Sequence, residues 1–231
     1  MQKYHIHGYH IIFGNRFFNL DTFLSLLPTH QVRQIQQVHS NRIFWTQDVP
    51  TEITDSVTQG DGLLSRSAND VLVIRTADCL PIAVYCLGEE PFFGILHAGW
   101  RGIAAGIIQE CIRLIGTKRA NSIYLHIGPH ILWDSYEVSR DVVEAVTHSL
   151  SIQQKEQCIR WINKEKAMLS LQNVVIGQAE ALGIPRQNII GSEIDTFQND
   201  SFYSYRRNKT NQRNISLIFY QKPETDLMAF N

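Results

Sequence analysis

Three residues stand where the chain could grip a metal: His39 in "QQVHS", Cys79 in "TADCLP" and His97 in "HAGWRG". Histidine nitrogen and cysteine thiolate are preferred zinc donors, and three protein ligands with an open fourth position define a reactive rather than a purely structural ion. Such an ion lowers the pKa of a coordinated water to about 7. The three lie far apart in sequence, so spacing does not join them, and each has a plainer reading. A lone cysteine in an apolar segment is usually a small buried hydrophobe, and a lone histidine is usually a satisfied polar residue.

Other residues could complete a site around them. Asp78 precedes Cys79 and could orient a ligand or carry a proton, or it could cap a turn before Pro81. Arg101 follows Gly99 at the expected start of a helix, where free N–H groups and the positive dipole end bind anions and a guanidinium adds a bidentate donor. Phosphate or carboxylate would suit it; a surface ion pair is the alternative. Trp100 could stack on a flat ligand or pack. Arg206 and Arg207 in "FYSYRRN" could clamp a substrate or form an exposed loop pair. His130 in "IGPHI" is expected to be exposed by a Gly-Pro turn. Near the start, alternation places His5 and His7 on one strand face beside His10, a weak metal cluster or a solvated face. The chain lacks G-x-x-x-x-G-K-[ST], G-x-G-x-x-G, G-x-S-x-G and H-E-x-x-H, and also the P-C-x-x-C half of the zinc deaminase signature.

The elements that would position these residues read as a mixture of strands and helices. "DVLVIRT", "PIAVYC", "PFFGILHA" and "SIYLHIG" are short, apolar and β-branched, as buried strands are. "QIQQVHSNRIFW" reads as a hairpin turning near Ser40 and Asn41. Apolar residues at helical spacing predict one helix over 103–115, and further helices over "SRDVVEAVTHSL" and "KEKAMLSLQNVVIGQAEALG", the last stopped by Gly183. "NIIGSEI" and "ISLIFYQK" read as strands, and residues 47–60 and 200–214 as loops. No repeat or linker divides the chain, so one domain over residues 1–231 is expected, with a mixed α/β layout.

Bulk composition bounds the function. Of 231 residues, 44% are hydrophobic and 19% charged, ordinary for a globular protein with a sizeable core. Lys+Arg number 21 against 22 Asp+Glu, a net charge of −1, which suggests neither a nucleic-acid nor an anionic-membrane partner. The N-terminus has no long apolar run before a small-residue cleavage site, and "CLPIAVYCLG" is too short to span a bilayer. A cytoplasmic location is expected. Cys79, Cys86, Cys111 and Cys158 are then thiols or ligands rather than disulfides, and the sequons at Asn199, Asn208 and Asn214 carry no meaning. The length and the lack of an evident exposed apolar helix suggest a monomer.

Taken together and in order, "QVHSNRI", "DGLL", "TADCLPIAV", "HAGWRGI", "IGPHI…SYEV" and "FYSYRR" resemble the laccase-domain, or polyphenol-oxidase-like, family of bacterial purine nucleoside enzymes, over nearly the whole chain from Gln36 to Tyr220. The resemblance implies an α+β fold, a four-layer α/β/β/α sandwich with mixed sheets. It implies that His39, Cys79 and His97 bind one metal, Zn²⁺ as a rule and Cu²⁺ as the alternative. It implies phosphorolysis of adenosine, inosine and S-methyl-5'-thioadenosine to the base and the (methylthio)ribose 1-phosphate, with adenosine deamination as a second reaction. The partners are then small: a nucleoside and phosphate. On this reading Arg101, with Arg206 or Arg207, holds phosphate, Asp78 shuttles a proton in deamination, Trp100 stacks on the base, and His130 lies near the substrate. The chain departs from the family pattern at His130 and Asp195, where cysteines are common, and in "TNQRN" after the double arginine. Other readings stay open: copper-dependent phenol oxidation, a thiol hydrolase with Cys79 as nucleophile, and a metal-stabilised protein without activity.

Overall fold

The computed structural model describes residues 1–49, 58–88 and 90–222; part of the loop expected at 47–60 lies outside them. Two sheets stack face to face. The first has five strands in the order β1 (Gln2–Ile6), β2 (Tyr9–Phe13), β14 (Asn214–Tyr220), β6 (Asp70–Thr76) and β3 (Gln31–Arg33). The second has six, in the order β13 (Ile189–Ile190), β9 (Ile123–Ile127), β7 (Leu80–Cys86), β8 (Phe92–Ala98), β5 (Gly62–Ser65) and β4 (Ile43–Trp45). A small third sheet, β10 (Glu137–Ser139), β12 (Lys166–Leu169) and β11 (Ile159–Trp161), lies to one side.

Three apolar layers hold these parts together. Between the sheets pack Ile11, Phe13, Leu72, Ile74, Tyr85, Phe93 and Ile95. On the outer face of the five-stranded sheet, Val71, Val73, Leu217 and Phe219 meet Leu20, Phe23 and Leu24 of α1 (Leu20–Leu24). On the outer face of the six-stranded sheet, Ile82, Val84 and Leu96 meet α2 (Trp100–Ala104), α3 (Ile107–Ile115), α4 (Arg140–Thr147) and α6 (Leu171–Ala181). The order helix, sheet, sheet, helix is the expected four-layer α+β sandwich. The central strands β6, β7 and β8 are apolar on both faces because both faces are covered, which is why they read as continuous runs. Truncating one of them, as in Ile95→Ala, removes a fully buried side chain, a change that typically costs about 2–5 kcal/mol.

Several local expectations fail, each for a physical reason. The supposed hairpin around Ser40 is a crossing: β3 pairs parallel with β6 in one sheet, and β4 pairs parallel with β5 in the other. A local apolar pattern does not say which sheet a strand joins. The helix over 103–115 is two helices, broken where Gly106 takes φ 83°, a conformation glycine adopts without steric penalty. The segment before α6 is strand β12, whose residues alternate exposed and buried; α6 starts where the Ser170 hydroxyl accepts from Asn173 N–H at 3.1 Å. Gly183, at φ 90°, does end that helix. The "NIIGSEI" strand shrinks to Ile189–Ile190, and the 200–214 loop contains the short α7 (Tyr205–Asn208). His7 does not share a strand face with His5, because His7 and Gly8 form the turn between β1 and β2. Among the described residues no helix is long and apolar enough to cross a membrane.

Candidate active site and metal centre

The chain crosses between the two main sheets three times at one end of the sandwich: the crossing from β13 to β14 carries Arg206, and the other two carry candidate metal ligands. The crossing from β3 to β4 holds His39. That from β6 to β7 holds Asp78 and Cys79. Beside them β8 ends in His97, and the register that pairs Leu80 with Ala98 and Pro81 with His97 brings Cys79 opposite Gly99. Sequence distance is thereby cancelled: one donor atom each from His39, Cys79 and His97 lie within 4.8 Å of one another. Two of the residues that set this geometry, His39 at φ 60° and Asp78 at φ 89°, hold left-handed backbone conformations without being glycine. Such strain costs of order 1–3 kcal/mol each and persists only where surrounding contacts hold it.

The glycines of "HAGWRG" are explained by what a side chain would strike. A Cβ on Gly99 would come within 3.0 Å of Cys79 Sγ and 3.1 Å of His39 Cδ2. A Cβ on Gly102 would come within 2.8 Å of the Ser40 carbonyl oxygen. The strand-to-helix turn therefore closes down on the donor set, and α2 packs directly on the crossing that carries His39.

One residue binds this arrangement together, and the sequence reading assigned it no role. Asp61 is fully buried. Its carboxylate accepts the backbone N–H of Val38 at 3.3 Å, of His39 at 2.9 Å and of Ser40 at 2.6 Å, as well as the Ser40 hydroxyl at 2.8 Å. It also meets His97 Nδ1 at 2.8 Å, while its own carbonyl takes the His97 N–H at 2.7 Å. An ionised carboxylate only accepts, so Nδ1 carries a proton and Nε2 is the nitrogen left to meet a metal, which would displace any proton held there. That is the outer partner a metal-binding histidine usually has. In the sequence Asp61 opens "DGLL", and an aspartate before a glycine reads as a turn until its neighbours in space are known.

The charges agree with a donor set. Burial alone would raise the Asp61 carboxyl, but hydrogen bonds from His97 and Ser40 outweigh it and lower it to about 2. Burial would likewise raise the Cys79 thiol, yet the charge of His97 and a hydrogen bond from His39 prevail and lower it to about 6. Burial would lower His97, but the Cys79 thiolate and Asp61 raise it to about 9. One thiolate and two imidazoles within reach of a single point, one ring already aimed by a carboxylate, fit a zinc ion.

The donors line a cleft of about 520 Å³. Trp100, Arg101, Tyr136, Tyr205 and Arg206 line it too, along with Arg75, Lys209 and Arg213. None of the five cations among these residues forms an ion pair with a described carboxylate, although the described residues carry ion pairs elsewhere, such as Arg33 with Asp70. The Arg101 guanidinium lies over Trp100, 4.4 Å from the ring centre, and that of Arg206 over Tyr136, 5.0 Å away. A cleft this positive on a chain of net charge −1 favours an anionic ligand.

Other expected site residues fall elsewhere or are already engaged. Asp78 borders the cleft, but one oxygen accepts the Thr196 hydroxyl at 2.8 Å and the other the Arg206 backbone N–H at 2.6 Å. Its carboxylate anchors the segment carrying Arg206. Arg207 is not in the cleft: its guanidinium donates to the carbonyls of Thr196, Phe197, Asn199 and Phe202. Adjacent residues on a short helix point apart, so the double arginine splits into one cleft residue and one loop brace. His130 is buried rather than exposed; its Nδ1 donates to the Gly128 carbonyl at 2.8 Å, its backbone bridges to Asp195, and it does not line the cleft.

Comparison with known proteins extends the geometry to a family. Over 205 residues the chain is 29% identical to a purine nucleoside phosphorylase of Campylobacter jejuni, covering 87% of this chain and 82% of that protein. Over 194 residues it is 27% identical to the purine nucleoside phosphorylase YfiH of Escherichia coli, covering 84% and 75%. Among solved structures it superposes on the hypothetical protein YfiH of Bacillus licheniformis with a TM-score of 0.76 at 28% identity, over 87% of this chain and 79% of that one. YlmD of Geobacillus stearothermophilus gives the same TM-score at 26% identity, over 87% and 78%. The model of one family, described as multi-copper polyphenol oxidoreductase laccase, matches residues 18–221, a span that includes the donor set, Asp61 and every cation of the cleft, and the chain belongs to that family.

Proposed function

We propose that this protein is a zinc-dependent purine nucleoside phosphorylase, acting on adenosine, inosine and S-methyl-5'-thioadenosine, with adenosine deamination as a side reaction. One observation carries the reading: the His39–Cys79–His97 donor set sits in a cleft with five cations that form no ion pair with a described carboxylate. The relatives named as purine nucleoside phosphorylases support it.

Zinc held there would act as a Lewis acid, polarising a group of the substrate. The chain's own residues do the rest. Arg101 and Arg206 bind phosphate and hold an oxygen against the anomeric carbon, which converts a bimolecular attack into a positioned one. As the new C–O bond forms, the glycosidic C–N bond breaks with its electron pair leaving on the base. Trp100 offers a flat face for that base. Asp78 positions Arg206 through its backbone N–H, and this is the part its two engaged oxygens leave it; in deamination it can pass a proton only by releasing one of those contacts.

Metal and product analysis on one preparation tests the reading. About one zinc per chain, with adenine and ribose 1-phosphate formed from adenosine only when phosphate is present, is the expected result. Inosine without phosphate would add the deaminase. A second reading draws on the Cys79 thiol, lowered to about 6 beside two histidines, which also suits a thiolate nucleophile. Turnover that survives thorough chelation but not thiol alkylation would favour it. Phenol oxidation by copper-loaded protein, with adenosine untouched, would favour the chemistry named in the family description. The His39–Cys79–His97 set is the only three-donor cluster among the described residues, fewer histidines than a multi-copper centre needs.

A further inference from the structure

Three tyrosines are buried among the described residues, and two have a partner for the hydroxyl. Tyr9 donates to the Cys86 carbonyl at 3.2 Å, and Tyr85 lies 3.1 Å from His126 Nε2. Tyr136 is the third. It is 8% exposed, and its hydroxyl makes no hydrogen bond to a described residue. Yet that oxygen is not among the enclosed atoms left without a partner, so it is open to the cleft that Tyr136 lines. A hydroxyl that faces an open cleft without a protein partner is free to meet a ligand there.

The residue is held firmly for so unoccupied a group. Its N–H donates to the Trp133 carbonyl and its own carbonyl accepts from Leu169. Its ring lies beneath the Arg206 guanidinium, which is pinned to the Glu137 carbonyl at 2.9 Å. Burial raises the phenol above its ordinary pKa; Cys79 and Asp78 push the same way, while Arg206 and Arg101 oppose them. The hydroxyl is a neutral donor at physiological pH, and Tyr136 shares the cleft with Cys79, Arg101 and Arg206.

We propose that Tyr136 touches the substrate: its hydroxyl donates a hydrogen bond to the sugar of the nucleoside, between the anion held by Arg101 and Arg206 and the donor set of His39, Cys79 and His97. This rests on the phosphorylase reading, for a sugar is what must lie between a bound phosphate and a base. Contact is made at the reacting end, so the bond serves to hold the anomeric carbon in place.

Tyr136→Phe removes one oxygen and keeps the ring and its packing under Arg206. Zinc-loaded wild type and Y136F would be compared for phosphate-dependent adenine release, for adenosine binding by equilibrium dialysis, for zinc per chain and for Tm. The expected result is a fall in kcat/KM for adenosine of roughly tenfold to a hundredfold, with zinc content and Tm unchanged. Activity within twofold of wild type would overturn the proposal, and so would a loss of activity that tracks a loss of zinc or of Tm. Should wild type release no adenine at all, the phosphorylase reading fails and dialysis decides the matter for Tyr136. Weaker adenosine binding by Y136F would sustain the contact; equal binding, or none by either protein, would end it.

Discussion

Two pairs of histidines in this molecule share residue type and close approach of their rings and differ in what surrounds them. His39 and His97 approach edge to face, 4.7 Å between ring centres, with Cys79 as a third donor and Asp61 fixing one ring nitrogen. His5 and His10 lie flat on one another, 4.1 Å apart and 19° from parallel, and His10 in turn stacks on Phe219. Stacked rings aim their in-plane lone pairs side by side rather than at a common point, and among the described residues no third donor joins them. The difference is not residue type or proximity. It is the buried carboxylate that orients one pair, and the aromatic packing that spends the ring faces of the other. A third setting completes the contrast: His126 and His130 are enclosed, and burial lowers both to about 4.

The contrast is broken most directly at Cys79. Cys79→Ala should remove most of the bound zinc and abolish turnover, while His5→Ala combined with His10→Ala should leave zinc per chain unchanged. A metal-replete, active C79A would dissolve the distinction between the two pairs. Next in size, Asp61→Asn keeps every metal donor but removes the charge beside His97 and replaces one of two accepting oxygens with an amide that can only donate. Zinc affinity measured against a competing chelator should fall roughly 10- to 100-fold, and much less in Ser40→Ala, which removes one of several bonds to Asp61. Equal losses in the two variants would mean that Asp61 acts only on the fold.

The enclosed histidines sharpen the contrast through pH. Their folded pKa of about 4 lies below the unfolded value near 6.5, so between these limits the unfolded chain binds more protons. Stability is therefore full above pH 6.5 and declines as pH falls towards 4, by roughly 1.4 kcal/mol per unit for each histidine. Urea unfolding at pH 7 and pH 5 should show a smaller decline in His126→Leu than in wild type; an identical decline would mean that His126 is not held neutral.

The smallest contrast separates neighbours in the chain. Arg207→Ala strips a guanidinium from four loop carbonyls and should lower Tm while leaving the KM for phosphate near wild type. Arg101→Ala should do the reverse, raising the KM for phosphate far more than it affects deamination. If both arginines shift Tm alone, the anion end of the cleft must lie elsewhere.

Much of this was legible in residue order. Fully covered strands must be apolar throughout, so β6, β7, β8 and β9 show plainly in the sequence. The motifs around His39, Cys79 and His97 could be read as donors through the family resemblance, because a lone cysteine or histidine in a strand-end turn has a plainer reading by itself. Legibility failed wherever a choice depended on partners distant along the chain. Nothing local in residues 34–45 distinguishes a hairpin from a crossing between sheets, and nothing in "FYSYRRN" says which arginine enters the cleft. His130 was misplaced for the same reason: a Gly-Pro turn suggests exposure, but Ile194 and Thr196 cover its backbone from another part of the chain.

The sequence by itself determined the covered strands, the donor types and the glycines that let α2 close on them, because these follow from periodicity, ligand chemistry and the absence of a Cβ. Only the tertiary structure decided that three distant donors share a point, that Asp61 orients them, that Asp78 and Arg207 serve the loop, and that Tyr136 faces an open cleft. Those outcomes are set by which segments cross between the sheets and by the register in which β7 meets β8. They are properties of packing across the whole chain, and short stretches of sequence do not carry them.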